Sequence, residues 1–443
     1  MTPSFGRSWL WTALFAAAGV HAQETPKQGP SIVLGAGVEQ TDNAFKSSSD
    51  EQDETKEYLN LGLGYGRSGE ALSAQIDYNG EFANYENNTI DDDVVVTGSS
   101  KLGWSPLPGR LQLGVSHERS EQLRNSRDVD IRNNRQIRDM LSAGPAITAR
   151  MSPVDHLVLS GQLTQVVYDK SATDTVDGQN AGRDSDRVQG GLAWQHRLNK
   201  TDLLSANYQH STSKFDDSDV EITFQQVFGT YEVRLRNSGY TASLGLNRSE
   251  RKGSSSNDGF YGQLGWDLTL GVHRFKAVLI NQLTDSGIGL GGNSLSSANI
   301  SSNDTNFDVV DVLERSSLDL GYGFDGLCER CLLDIGLSYD EQDFDIEPRD
   351  QKQSGVSASF GYRLTPTLRA SLRAGYAELE FPQDTDGGRK DERSNYGFSL
   401  DWTASRQLTA HLSLRTDSRD SSQSGVGNYD EAFGGLSVSY RFR

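Results

Sequence analysis

Strict alternation of apolar and polar side chains, renewed along nearly the whole chain, limits the fold more than any other feature. In "GGLSVSYRFR", Leu436, Val438, Tyr440 and Phe442 take one face while Ser437, Ser439 and Arg441 take the other. The same dyad runs through "YLNLGLGYGR" (Leu59, Leu61, Leu63 and Tyr65 against Asn60, Gly62 and Gly64), "NYGFSLDWTA" (Tyr396, Phe398, Leu400 and Trp402) and "QLTAHLSLRT" (Leu408, Ala410, Leu412 and Leu414). About 20 such segments of roughly 9–12 residues can be counted, the length of a tilted membrane-spanning strand. Strands of a soluble sandwich also alternate, but they are shorter, at about 5–6 residues.

The connections alternate as well. Short links ("GRSGE", "SPLPGR", "MSPVD", "RLNKTD", "RNSG", "RLTPT", "TASRQ") take turns with long polar ones ("KSSSDEQDETKE", "ENNTIDDD", "QLRNSRDVDIRNNRQ", "SATDTVDGQNAGRDSD", "PQDTDGGRKDE"). Outer-membrane barrels have short periplasmic turns and long extracellular loops. If "SIVLGAGVEQ" leaves from the periplasmic end and the last strand returns there, the strand number is even. The sequence therefore predicts an all-β fold, a transmembrane antiparallel up-and-down β-barrel of about 18–20 strands in the outer membrane of a Gram-negative bacterium. Trp104, Trp194 and Trp402 fall near short turns, and Tyr65, Tyr322, Tyr362 and Tyr440 near outward-facing strand ends, as an interface girdle requires.

Residues 1–22 read as a secretory signal: Arg7, the apolar run "WLWTALFAAAG", then "VHA" before Gln23. The barrel is expected to occupy 23–443. Its 35% hydrophobic content, mean hydropathy of -0.58 and net charge of -19 would suit an acidic soluble protein. In a barrel the acids collect in long loops, as do Asp50, Glu51, Asp53 and Glu54, and lipid-facing positions stay nearly free of charge. Nucleic acid is excluded as a partner by the acidity and the lack of a basic face outside the lumen. Outer-membrane lipid, lipopolysaccharide and the barrel-insertion machinery, which would read Tyr440 and Phe442, are the expected partners. "DTDGG" (Asp384, Asp386) lacks the spacing of a calcium-binding hand and reads as a solvated loop; no metal and no cofactor are expected.

Parity assigns the lumen. It receives Gln75, Asp77, Glu81, Gln112, Gln189, Asn207, Gln263, Asp267, Asp319 and Asp334, with Arg150, Arg187, Arg197 and Arg234. The last strands add Arg363, Arg369, Arg373, Arg393, Arg415 and Arg441 with few acids beyond Asp401. Such a stripe can guide an anionic solute; alternatively the arginines pair with lumen acids and support the wall. The connection "TDSGIGLGGNSLSSANISSNDTNFD" is either a constriction loop or a surface loop. An enzyme is not expected: "QHSTS" offers His210 and Thr212 without the rest of a hydrolase motif, and His117, His196 and His411 lack an obvious nucleophile partner. Pro145 has no N–H to give a closed sheet, so a bulge or broken ladder is predicted there.

Cys328 and Cys331 stand in a C-x-x-C spacing at a short turn. No His follows for haem attachment, no second ligand pair exists for zinc, and no helix is predicted to activate a thiol. In the oxidising periplasm a local disulfide is the expectation.

The opening hairpin "GAGVEQTDNAF", with Asp42 and Asn43 leading to Phe45, resembles the start of the beta-barrel porin 2 family. The likeness in architecture covers nearly the whole chain, and the likeness in motif only this hairpin. Proteins of that family occur in exopolysaccharide loci, including those linked to the PEP-CTERM sorting system. The resemblance implies a terminal export channel for polysaccharide, with periplasmic polysaccharide export proteins as partners. A sugar or small-solute diffusion porin is the alternative, and a lipid hydrolase or envelope anchor a weaker one.

Overall fold

The computed structural model describes residues 29–442 except 88, 126, 170–181, 217–218, 255, 287–309, 385–386 and 424–426. The leader, Asp386 and most of the supposed constriction loop therefore lie outside the described residues. Twenty strands follow one another: β1 (Gly29–Thr41), β2 (Glu54–Arg67), β3 (Leu72–Tyr85), β4 (Asp93–Leu107), β5 (Leu111–Leu123), β6 (Arg135–Arg150) and β7 (Asp155–Tyr168). Next come β8 (Ser185–Arg197), β9 (Asp202–Phe215), β10 (Glu221–Arg234), β11 (Ser238–Arg251), β12 (Ser256–Leu270), β13 (His273–Asp285) and β14 (Val312–Phe324). The rest are β15 (Cys331–Phe344), β16 (Gln351–Thr365), β17 (Leu368–Phe381), β18 (Arg389–Thr403), β19 (Leu408–Ser421) and β20 (Tyr429–Phe442). Each pairs antiparallel with its neighbours in sequence, and β1 pairs with β20 from Ile32↔Phe442 to Thr41↔Phe433. Closure removes every edge, so the backbone donors and acceptors are satisfied without water, the condition for crossing hydrocarbon.

The expected barrel is the one that forms, at the upper strand number. Its strands, 13 to 16 residues long, outrun the expected length. The excess lies at the long-loop end, where charged residues continue the ladder: Glu378↔Glu392 and Glu380↔Lys390 extend β17 and β18. Apolar alternation marks only the lipid-covered part of a strand. At the other end the turns are tight; Gly271 and Val272 alone join β12 to β13, and Gly271 has φ 60°, the conformation that a two-residue hairpin with Gly first demands. The loop side is less uniform than expected, since 216–220 and 252–255 suffice for two of its connections.

Directly paired residues share a face. One face joins apolar to apolar, as in Leu59↔Phe82, Leu163↔Val188 and Leu246↔Phe260, and Leu246 is 70% exposed. This band faces lipid. Trp104, Trp194, Trp402, Tyr65, Tyr322, Tyr362 and Tyr440 all lie close to the short-turn ends of their strands, forming one girdle there.

At Pro145 the ladder to β5 is continuous (Leu113↔Pro145), while that to β7 lapses between Ala143↔Leu163 and Ala146↔Ser160. The strands draw together at this point: a Cβ on Gly144 would run into the carbonyl oxygen of Gly161. Cys328 and Cys331 are joined by a disulfide across the β14–β15 turn.

Candidate functional site

The face opposite the apolar band lines the lumen. Register places there Asp77 and Glu81 (β3), Asp267 (β12), Asp319 (β14), Arg363 (β16), Arg369 and Arg373 (β17), Arg393 (β18), Arg415 (β19) and Arg441 (β20). Asp319 is only 5% exposed, so it sits in the wall rather than along open lumen. Glu81 is engaged by Lys56 at 2.6 Å, which also reaches Glu39 at 3.3 Å. The arginines come together on five adjacent strands. Arg363 and Arg369 are directly opposite, and Arg373, Gly397 and Arg415 form one cross-strand row.

On the other walls several lumen arginines are paired, although Arg150 and Arg197 bond no carboxylate among the described residues. Arg274 meets Asp325 at 3.0 Å and Asp334 at 3.2 Å, Arg315 meets Asp340 at 2.5 Å, and Arg187 meets Asp285. Arg415 bonds Asp417 at 3.0 Å and lies over the Phe433 ring. Among the described residues, Arg363, Arg369, Arg373, Arg393 and Arg441 have no carboxylate partner. Asp401, opposite Arg369 in register, is bonded instead to His411 at 2.7 Å. Like charges placed opposite one another destabilise a sheet. Arg363 and Arg369 are tolerated because both are exposed to the water of the lumen.

The mouth carries contacts that parity could not show. The β5–β6 loop reaches across to the β17–β19 wall: Arg127 bonds Asp384 at 2.7 Å, and its carbonyl oxygen accepts from Arg389 at 3.0 Å and Arg419 at 3.1 Å. Arg419, 1% exposed, bonds Asp391 at 2.7 Å, and both Arg127 and Arg389 stack on Phe381. Asp384, expected in a solvated loop, is thus an ion-pair partner in a braced one. On the far side, Asp311 accepts from the backbone of Ile346 and Glu347 at 2.8 Å each and pairs with Arg251 at 3.4 Å. Val310 and Val312 pack against Phe215 and Ile222. Both flanks of the β13–β14 connection are anchored in the lumen. A cavity of about 590 Å³, lined by Arg127, Glu347, Arg349, Asp384 and Arg389 among others, lies between the two groups.

The outward face also departs from expectation. It is not nearly charge-free: Arg119 and Asp139 pair there, and Glu341 with Lys352 and Glu378 with Lys390 follow near the loop ends of other strands. These residues close ion pairs between strands, which single-strand parity does not reveal.

Neither a family model nor a curated protein matches this sequence. Solved structures do. The FrpB iron transporter of Neisseria meningitidis, in its apoprotein form, superposes with a TM-score of 0.52 at 12% identity, covering 94% of this chain and 81% of that one. A variant of the ferric enterobactin receptor PfeA of Pseudomonas aeruginosa gives 0.50 at 10% identity, with the same coverage. This chain is an outer-membrane β-barrel. At such identities the likeness is one of fold, and the lumen must speak for its own chemistry.

Proposed function

We propose that the barrel is a pore in which anionic cargo moves along the β16–β20 wall, and that the cargo is a carboxylate-bearing exopolysaccharide leaving the cell. The observation that carries this is the set of five lumen arginines without carboxylate partners. A guanidinium already paired offers little to a passing anion; one solvated by the lumen retains its field and its planar fork for carboxylates. The positions are also serial. Arg363, Arg369 and Arg441 lie toward the short-turn end, Arg373 and Arg415 share a middle row, and Arg393 leads to the Arg389 and Arg419 group at the mouth. Several weak sites in series suit conduction, because each releases what it binds. A polymer can occupy several together. The opening hairpin's resemblance to the beta-barrel porin 2 family supports an exopolysaccharide and export.

Entry of small carboxylates by diffusion is the second reading, favoured by the same stripe. Planar bilayers separate the two. A salt gradient should give an anion-selective reversal potential, and a soluble polyuronate added at the periplasmic side should interrupt the current at concentrations where its monosaccharide does not. Cation selectivity would refute both readings, and equal effects of polymer and monomer would leave only the second.

A further inference from the structure

Between β4 and β7 the outward face carries charge where lipid should meet apolar side chains. Arg119 on β5 donates to Asp139 on β6 at 2.5 Å, and the two are directly opposite in register. The next outward position on β5, Glu121, accepts from Arg135 at 2.7 Å and from Arg132. His117, one outward position nearer the short turns, donates from Nε2 to Asp139 at 3.2 Å, and its Nδ1 lies 2.5 Å from the Tyr78 hydroxyl oxygen. Arg119, Asp139, Glu121 and Arg135 thus form a charged strip two strands wide. It is bounded by exposed Val94 and Val96 on β4 and exposed Leu163 and Val167 on β7.

The strip reaches well into the lipid-facing band. The girdle residue Trp104 pairs with Leu113, and Arg119 stands six residues beyond Leu113 on the same strand. At about 3.4 Å per residue and a tilt of about 40°, this places it about 16 Å from the girdle, in a band about 25 Å tall. Two other outward ion pairs differ: their lysines, Lys352 and Lys390, stand 10 and 12 residues from the girdle residues Tyr362 and Trp402, at the far edge of the band. Charge as deep as Arg119 and Asp139 is costly in lipid and by default points to function. The chain itself does not seal the pair, whose side chains stay 31% and 28% exposed.

We propose that this strip is the contact between two copies of the chain, related by a two-fold axis along the membrane normal that passes between Arg119 and Asp139. Such an axis keeps height and exchanges left for right, so β5 of each copy faces β6 of the other. Arg119 then meets the partner's Asp139, and Asp139 meets the partner's Arg119. A surface that docks on itself needs this property, because each charge must find its opposite across the axis. Two ion pairs become a ring of four charges turned away from lipid, and the apolar residues on β4 and β7 close around it as a rim. Lipid A phosphates suit the strip less well: they would answer Arg119 and leave Asp139 facing like charge. The inference is independent of what the pore carries. Single-strand parity hid the surface because its two signs lie on different strands.

The test uses the full chain, in liposomes and in detergent. Co-purification of differently tagged copies and native mass spectrometry should show a dimer. Arg119→Glu alone and Asp139→Arg alone should each lower the dimer fraction by about tenfold or more, since each sets like charge against like across the axis. Copies of the two variants expressed together should pair again, because each new charge then meets its opposite; a fold damaged by either substitution would not recover in this way. Leu141→Cys leaves every charge in place, and because the two native cysteines are joined to each other it supplies the one free thiol. A flexible bis-maleimide should link two such copies and should not link copies carrying Ala36→Cys, on the outward face of β1. A chain that stays monomeric in the bilayer, a dimer undiminished by either charge variant, or mixed variants that fail to pair would each overturn the proposal, as would equal cross-linking at the two cysteine positions. A monomer that holds lipid A and loses it in Arg119→Glu would assign the strip to lipid instead.

Discussion

The unpaired lumen arginines and the buried ones of the mouth should respond to substitution in opposite ways. Arg369 and Arg373 are exposed and bond no carboxylate, so reversing both to Glu should leave stability within about 0.5 kcal/mol. The same change should move the bilayer reversal potential toward cation preference; an unchanged potential would remove the stripe from the conduction path. Asp391→Ala is the converse case. It is fully buried and meets both Arg389 and Arg419, so its loss should cost about 3–5 kcal/mol, read from urea unfolding in detergent. Parity could assign these side chains to a face because each lies an odd number of residues from an outward aromatic or aliphatic neighbour. It could not assign partners. Asp401 stands opposite Arg369 yet bonds His411, and His117 owes its surroundings to strands 39 and 22 residues away.

At the scale of elements, turn chemistry and strand ends behave differently. The β14–β15 turn was legible because two cysteines stand at a short link in a fold that needs a tight return there. Its disulfide closes so small a loop that the chain-entropy argument allows only about 2 kcal/mol. Cys328→Ser with Cys331→Ser should therefore fold and conduct, with a slightly lower temperature for loss of the compact band in heat-modifiability gels. Complete failure to fold would show that the turn does more than close. The Pro145 break was legible for a similar reason, a missing donor. Its companion was not, since the close approach of Gly144 to Gly161 depends on register between β6 and β7. Gly144→Ala should cost about 1–3 kcal/mol by overpacking against backbone that a closed sheet cannot move aside. An unfolding midpoint equal to that of the unmodified barrel would contradict the close approach.

For the whole molecule the decisive matter is how the mouth limits flow. The barrel wall follows from local pattern, but the braces over it join loops far apart in sequence. Arg127 meets Asp384, Arg389 and Arg419 over separations of 257 to 292 residues. Charged loop segments read singly look solvated, and only closure of the barrel brings them into contact. The β5–β6 loop faces the Asp311–Glu347 contacts across the cavity that Arg127, Glu347, Arg349 and Arg389 line. Arg127→Ala would remove the Asp384 pair and the Phe381 stacking while leaving the carbonyl that Arg389 and Arg419 use. The loop should then keep the two carbonyl contacts but lose the Asp384 pair and the Phe381 stacking. Conductance should rise, and current substates should become more frequent, most clearly at low salt, where the intact pair is least screened. At about 1 M salt the variant and the unmodified pore should differ less. Identical single-channel records at both salt concentrations would mean that the brace bears on stability alone and that the flow is limited deeper in the lumen.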